Sequence, residues 1–386
     1  EVLKTMPDQC INTCVTSPPY WGLRDYGVEG QLGLESTPDE YVAKMVEVFR
    51  EVRRVLRDDG TLWLNLGDSY ASGGMSNPSS KSTLGGGKDL GAADYSITRK
   101  VPNGLKPKDL VGIPWMVAFA LRADGWYLRQ DIIWHKVNAM PESVKDRCTK
   151  AHEYIFLLSK SKQYYYDADS IREPLSEQRA KQAGKLVDPG NDAKKRKKQI
   201  EHDKKRGSGG HFDGHKWRMN PLGRNKRSVW TVPTQPFPEA HFAVYPPALI
   251  TPCILAGTSP QACPTCGAPW ERVVERIAGA SKECPKTQAA HEARGGTGKP
   301  SGTVGKSGGG RIDSISRTIG WQPTCSCSDN DGSGRCVVLD PFAGSGTTLL
   351  VATQHHRKSI GIELNPEYIE IAKRRLNSVQ LKLVME

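Results

Sequence analysis

Three short stretches carry residue types suited to chemistry. Residues 14–22 read CVTSPPYWG: an apolar lead-in, Cys14 and Val15, runs straight into Ser17, Pro18, Pro19, Tyr20 and Trp21. Two consecutive prolines cannot continue a helix or sit in a central sheet ladder, and they restrict the backbone around them. The stretch therefore reads as a stiff turn at a strand end, presenting a hydroxyl, a fixed carbonyl and a flat ring. Residues 337–348, VVLDPFAGSGTT, put Asp340 at the end of a strand, Gly344 and Gly346 in the next turn, and Thr347 and Thr348 at a helix start. Glycines let a backbone approach a ligand closely. Glu363 lies 17 positions beyond Gly346 (363 − 346), at the expected end of the following strand. A carboxylate there can accept both hydroxyls of a ribose. No lysine follows Gly346, so the turn is not a phosphate-binding P-loop, and the full glycine pattern of a dinucleotide site is missing too. A nucleoside without a pyrophosphate suits such a turn, and S-adenosylmethionine fits.

The third stretch is a set of cysteines. Cys263 and Cys266 stand in CPTCGAPW, and Cys325 and Cys327 in CSC. Four thiolates in two tight pairs suit a tetrahedral structural Zn2+, whose closed coordination leaves no position open for catalysis. Unliganded thiols are the alternative; a redox CxxC lacks the βαβ context it needs. The other six cysteines, Cys10, Cys14, Cys148, Cys253, Cys284 and Cys336, are scattered. With no secretory signal, that usage points to a reduced compartment.

The elements that must position these residues follow from periodicity and punctuation. Residues 10–18 predict a short buried strand stopped by the prolines. Residues 37–56 predict an amphipathic helix: Thr37 is its N-cap, Pro38 its first residue and Glu40 completes a capping box. Tyr41, Met45, Val48, Val52 and Val55 recur along it at helical spacing. Asp58-Asp59-Gly60 turns the chain into a strand over 61–68, and 71–104 reads as a mobile Gly- and Ser-rich loop. A helix is expected over 108–125, strands over 126–136 and 153–161, and an ordered return at 228–233. The last segment, 336–376, reads as strand, glycine turn, helix, a second strand ending at Glu363, and a closing helix. Strands alternating with helices predict an α/β fold with an open, doubly wound, mostly parallel sheet.

The chain has 386 residues, 37% of them hydrophobic, and a formal net charge of +12. The pI is about 9.2 and the mean hydropathy −0.53. No apolar run approaches the roughly 18 residues of a membrane span, so no membrane partner is expected. The charge is clustered over residues 193–227, where lysines and arginines alternate with His211, His215, Trp217 and Asn220. Such a patch favours a polyanionic partner over a merely solvated tail. The expected organisation is a catalytic half over 1–170, a basic insertion over 171–227, a return to the catalytic domain over 228–262, a zinc-binding insertion over 263–330 and a cofactor half over 331–386.

TSPPYW, DPFAGSGTT and GIELNPEY together resemble the amino-group DNA methyltransferases, which modify N4 of cytosine or N6 of adenine. The Pro-Pro-Tyr motif precedes the cofactor motif, the order of the permuted beta class of that family. LRQDIIWHKVNAMPESVKDRCTKAHEYIFLLSKS and HFAVYPPALI also resemble the segments between. The resemblance covers about residues 10–70, 105–170, 228–257 and 336–376. The family pattern carries a further strand and an acidic loop ahead of the position of Glu1, so one wall of the cofactor site is expected to be absent from this sequence.

The resemblance implies a Rossmann-like methyltransferase sheet and the cofactor S-adenosylmethionine. It implies cofactor contacts from Asp340, Phe342, Gly344, Ser345, Gly346, Thr347, Glu363 and Asn365. Asp68 either reaches the methionine amino group or caps the turn after it. Ser17 and the Pro18 carbonyl would accept the two N–H bonds of the target amine, Pro19 would stiffen the turn, and Tyr20 would stack on a base rotated out of the duplex. The partner is double-stranded DNA, and the basic insertion stands where the family places target recognition. The implied setting is the cytoplasm of a prokaryote, or of a host carrying a phage, in DNA methylation of the restriction-modification kind. Ser17, in place of an acidic residue, points to N4 of cytosine. Methylation of adenine N6, a catalytically silent zinc-containing DNA-binding module and methylation of a protein amide are the alternatives.

Overall fold

The computed structural model describes residues 1–23, 27–71, 101, 104–176, 186–187, 217–218, 223–237, 244–277 and 315–385. The elements are α1 (Val2–Thr5), β1 (Ile11–Thr16), α2 (Pro38–Val55), β2 (Leu56–Leu66), α3 (Ile113–Ala123), β3 (Tyr127–His135) and β4 (His152–Ser159). After them come β5 (Leu186–Val187), β6 (Trp217–Arg218), β7 (Val229–Thr231), α4 (Pro247–Gly257), β8 (Glu271–Ile277) and β9 (Ile315–Gln322). The chain closes with β10 (Val337–Asp340), α5 (Thr347–Gln354), β11 (Lys358–Gly361) and α6 (Pro366–Met385).

The chain divides into two compact units, one of residues 1–171, 227–271 and 323–386 and one of 172–226 and 272–322. The first unit holds a seven-stranded sheet in the order β11-β10-β1-β2-β4-β3-β7. β11, β10, β1 and β2 are mutually parallel, β4 is antiparallel to both β2 and β3, and β7 is parallel to β3. Six strands thus share one direction, as the alternation of strands and helices predicts. In the second unit β5 pairs with β6. Most of the basic run over 193–227, the middle of the later insertion, and the loop over 71–104 apart from Ala71, Val101 and Gly104 lie outside the described residues.

Both faces of the sheet are covered. On β2, Leu62, Leu64 and Leu66 point to one face, where they join Cys14, Phe156, Leu158 and Leu339 under α2 and α3. Trp63 points to the other, with Val15, Ile155, Leu157 and Val338 under α4 and α5. This period of two on strands buried on both sides is what a doubly wound sheet requires. In α2 the Thr37 hydroxyl accepts the Glu40 N–H at 3.2 Å. The Glu40 carboxylate reaches back to the Ser36 N–H at 3.1 Å, one residue before the expected capping-box partner. The buried stripe is Tyr41, Met45, Phe49, Val52 and Val55; Phe49 takes the place expected for Val48.

Four boundaries differ from the sequence reading. β2 begins at Leu56, and Asp58-Asp59-Gly60 is a bulge in it: Ile11 faces Leu56, but Thr13 already faces Thr61. Gly60 is needed there because a Cβ would stand 2.9 Å from the Arg57 carbonyl. α3 covers only Ile113–Ala123, since Gly112 takes a left-handed φ of 86° and breaks any earlier helix. Residues 247–257, in a stretch read only as family-like, form α4. β11 stops at Gly361, so Glu363 stands in the loop after the strand and not at its end.

Candidate functional site

β10 and β1 are parallel neighbours inside the sheet, with Thr13 beside Val338 and Cys14 beside Leu339. From β10 the chain crosses to β11 on one side; from β1 it crosses to β2 on the other. The strand order therefore reverses between β10 and β1, and in open α/β sheets ligands bind in the crevice beyond the carboxyl ends of such strands. The Ser17 turn leaves the end of β1 and the glycine turn leaves the end of β10.

The two turns share a buried knot. Asp340 is 1% exposed. Its Oδ1 accepts from the Thr16 hydroxyl at 2.6 Å and the Phe342 N–H at 3.1 Å. Its Oδ2 accepts from the Thr348 hydroxyl at 2.6 Å and the Tyr245 hydroxyl at 3.1 Å. Burial pushes the carboxyl pKa up, and the surrounding hydroxyls and N–H pull against it. With four donors seated, Asp340 ties the two loops together.

The glycine turn needs its glycines. Gly344 has φ 51° and Gly346 φ 76°, and a Cβ on Gly346 would lie 2.8 Å from the Ala372 Cβ in α6. Glu363 reaches back to this turn: its Oε2 accepts the Gly344 N–H at 2.7 Å, and its Oε1 accepts the N–H groups of Leu364 and Asn365, each at 2.9 Å. A carboxylate oxygen has two acceptor positions, so Oε2 keeps one for a hydroxyl. Asn365 caps α6 by accepting the Glu367 N–H at 2.9 Å. The Arg375 guanidinium donates to the hydroxyl oxygens of Ser345 and Thr347, at 2.8 and 3.1 Å. Phe342 is half-buried.

In the other turn Pro18 is buried and Ser17, Pro19 and Tyr20 are half-buried. The Pro19 carbonyl accepts the Tyr41 hydroxyl at 2.8 Å, which anchors the turn to α2. The Trp21 indole donates to the Glu35 carbonyl at 2.9 Å. Tyr20 lies against Gly67, where a Cβ would sit 2.5 Å from the ring. The Tyr20 hydroxyl donates to Glu153 Oε2 at 2.7 Å, with Asn65 Oδ1 at 3.3 Å, and the Ser17 hydroxyl lies 3.5 Å away. Burial first, then the Glu153 charge, pushes the Tyr20 phenol well above its ordinary pKa.

The family model described as DNA methylase (N6/N4) matches residues 11–263 and 326–374. The chain belongs to this DNA methylase family.

The methylase is 37% identical over 385 residues to the type II methyltransferase M.Cfr9I of Citrobacter freundii, covering 99% of this chain and 87% of that protein. It is 38% identical over 376 residues to the type II methyltransferase M.SmaI of Serratia marcescens, covering 97% and 87%. Among solved structures, the PvuII DNA methyltransferase (cytosine-N4-specific) is 15% identical with a TM-score of 0.49, covering 97% of this chain and 82% of that one.

Elsewhere in the methylase, Asp68 caps the following turn through one of its two carboxylate oxygens. Its Oδ1 accepts the N–H groups of Ser69 and Gly112 at 2.9 Å and of Ile113 at 3.2 Å, which seats the start of α3. The cysteines converge as their spacing suggests: the sulfurs of Cys263, Cys266, Cys325 and Cys327 all lie within 4.8 Å of one another. Tetrahedral zinc with Zn–S near 2.3 Å places sulfurs about 3.8 Å apart, so the cluster has the size for it. The Asn12 amide donates to the Gly267 carbonyl at 2.9 Å and the Arg57 guanidinium to the Cys266 carbonyl at 2.6 Å. Asn12 and Arg57 stand near the starts of β1 and β2, so the cluster lies by the N-terminal ends of these strands, away from the two turns at the carboxyl ends of β1 and β10.

Sequence reading missed Thr16, Asn65, Lys136, Glu153, Tyr245 and Arg375. One signal was available: Glu153 is a lone carboxylate opening the apolar strand HEYIFLLS.

Proposed function

We propose that this methylase transfers a methyl group from S-adenosylmethionine to N4 of a cytosine flipped out of duplex DNA. The observation that carries the reading is the convergence of the Ser17 turn and the Gly344 turn at the reversal point of the sheet, locked by Thr16 and Asp340. S-Adenosylmethionine supplies an electrophilic methyl group at a sulfonium. The site residues fit it: the glycine turn gives close backbone approach, and Glu363 Oε2 keeps one acceptor for a ribose hydroxyl.

The target nitrogen is a poor nucleophile because its lone pair is delocalised into the ring. Two acceptors on its N–H bonds draw it toward tetrahedral geometry and release that pair. Ser17 Oγ and the Pro18 carbonyl are the two acceptors; the latter takes no hydrogen bond among the described residues. Tyr20 offers a ring face to the flipped base, worth roughly 1–3 kcal/mol by analogy with other base–aromatic stacks. Alignment and local electrostatics then set the rate of a direct displacement.

Choice of base rests on the Ser-Pro-Pro-Tyr form, which resembles the N4-cytosine enzymes. The type II relatives extend the reading to a restriction-modification system in a bacterial cytoplasm. Four-cysteine zinc fits as a structural group far from the reacting atoms, and the basic insertion as the DNA-recognition segment. Radiolabelled methyl transfer tests the reading: the wild type incorporates label into duplex DNA, and Ser17→Ala with Pro18 intact loses most of it. Incorporation unaffected by Ser17→Ala would contradict the assignment of the turn.

A further inference from the structure

Methyl transfer leaves the amino nitrogen with a surplus proton, and the neighbourhood of Ser17 holds a line of groups oriented to take it. Glu153 as a carboxylate only accepts hydrogen bonds. The Tyr20 O–H at 2.7 Å must therefore donate to it. That commits the Tyr20 oxygen as the acceptor facing Ser17, whose hydroxyl donates toward it across 3.5 Å. Ser17 then turns its lone pairs away from Tyr20, available to an incoming N–H. Hydrogen bonds of this kind are often long without substrate and tighten in the complex.

The far end is braced. Asn65 Nδ2 donates to Glu153 Oε2 at 3.2 Å and to the Tyr154 carbonyl at 3.0 Å. Lys136 pairs with the other oxygen, Oε1, leaving Oε2 to Tyr20. The Glu153 side chain is 14% exposed and that of Lys136 22%, so the pair is sheltered yet reaches solvent. Lys150 and His152 are further titratable groups that feel the Glu153 charge. Neither is hydrogen-bonded to it.

We propose that Ser17, Tyr20 and Glu153 form a proton relay that clears the methylated nitrogen, with Asn65 and Lys136 holding its terminal carboxylate in place. The proposal rests on the amino-methyltransferase reading above. The amine's lone pair forms the N–C bond while the S–C bonding pair stays on sulfur, leaving the nitrogen formally positive. The N–H bond then breaks with its electrons returning to nitrogen. Its proton goes to Ser17 Oγ, the Ser17 proton to the Tyr20 oxygen, and the Tyr20 proton to Glu153 Oε2. Ser17 and Tyr20 end as neutral hydroxyls, and Glu153 ends as a carboxylic acid that discharges to water. Tyr20 thereby has a second task besides stacking, and Glu153 acts through it as a positioning and relay residue.

Two variants isolate the relay from the fold. Glu153→Gln keeps an acceptor for the Tyr20 O–H but is a far weaker base, and Tyr20→Phe keeps the ring but removes the hydroxyl. Single-turnover methyl transfer to duplex DNA at saturating cofactor should slow by about 100-fold in each, the lower range of general acid–base effects. Affinities for S-adenosylmethionine and DNA should stay at the wild-type level. The double variant should be no slower than the worse single one, because both break the same line. Rates within about 2-fold of wild type, losses confined to binding, or additive losses would each overturn the relay. A wild type that methylates no amino group would instead overturn the reading on which it rests.

Discussion

Thr16 Oγ1 donates to Asp340 Oδ1 at 2.6 Å, joining the ends of β1 and β10 under the two functional turns. Thr16→Val keeps the shape and removes the donor, leaving one buried carboxylate oxygen short of a partner. The expected cost is about 1–3 kcal/mol of stability, read by denaturant unfolding. An unchanged midpoint would mean that the knot does not hold the turns.

Glu363→Ala should weaken S-adenosylmethionine binding. It removes the acceptor left for a ribose hydroxyl and releases the Gly344 N–H that shapes the turn. A hydrogen bond to a charged group contributes about 1.5–3 kcal/mol, so calorimetry should show at least about a 10-fold loss. Equal affinities for variant and wild type would remove Glu363 from the cofactor site.

The purified protein should carry one zinc per chain on Cys263, Cys266, Cys325 and Cys327. Chelation should lower thermal stability while cofactor binding persists, because the cluster and the cofactor turn lie at opposite ends of the strands. Elemental analysis finding no metal in protein prepared without chelators would refute the zinc assignment.

Duplex DNA binding should weaken steeply with salt through counterion release. Replacing Lys194, Lys195, Arg196, Lys197 and Lys198 together with glutamine should flatten that slope. A slope identical to wild type would show that the run does not meet phosphate.

The sheet and its two key turns were legible because they rest on strong local rules. Consecutive prolines must end a strand, and Gly344 and Gly346 announce a turn before a helix. The capped start of α2 was equally local. What escaped depends on distant partners. Tyr245 meets Asp340 across 95 positions of chain and Glu153 meets Tyr20 across 133; neither pairing leaves a periodic trace. The bulge at Asp58-Asp59-Gly60 read as a turn because its residues are turn formers, yet the register with β1 keeps them inside a strand. Asp340 and Asn365 stand at motif positions read as cofactor contacts; the distant partners that Asp340 holds, Thr16 and Tyr245, could not be read from those positions, nor could the cap that Asn365 Oδ1 gives α6.

Mass spectrometry of nucleosides from DNA treated with the enzyme and S-adenosylmethionine tests the central claim most directly. The account predicts N4-methylcytosine in wild-type reactions, strongly reduced with Ser17→Ala. N6-methyladenine without N4-methylcytosine would contradict the assignment of the target base, and the absence of any methylated amino base would contradict the function itself.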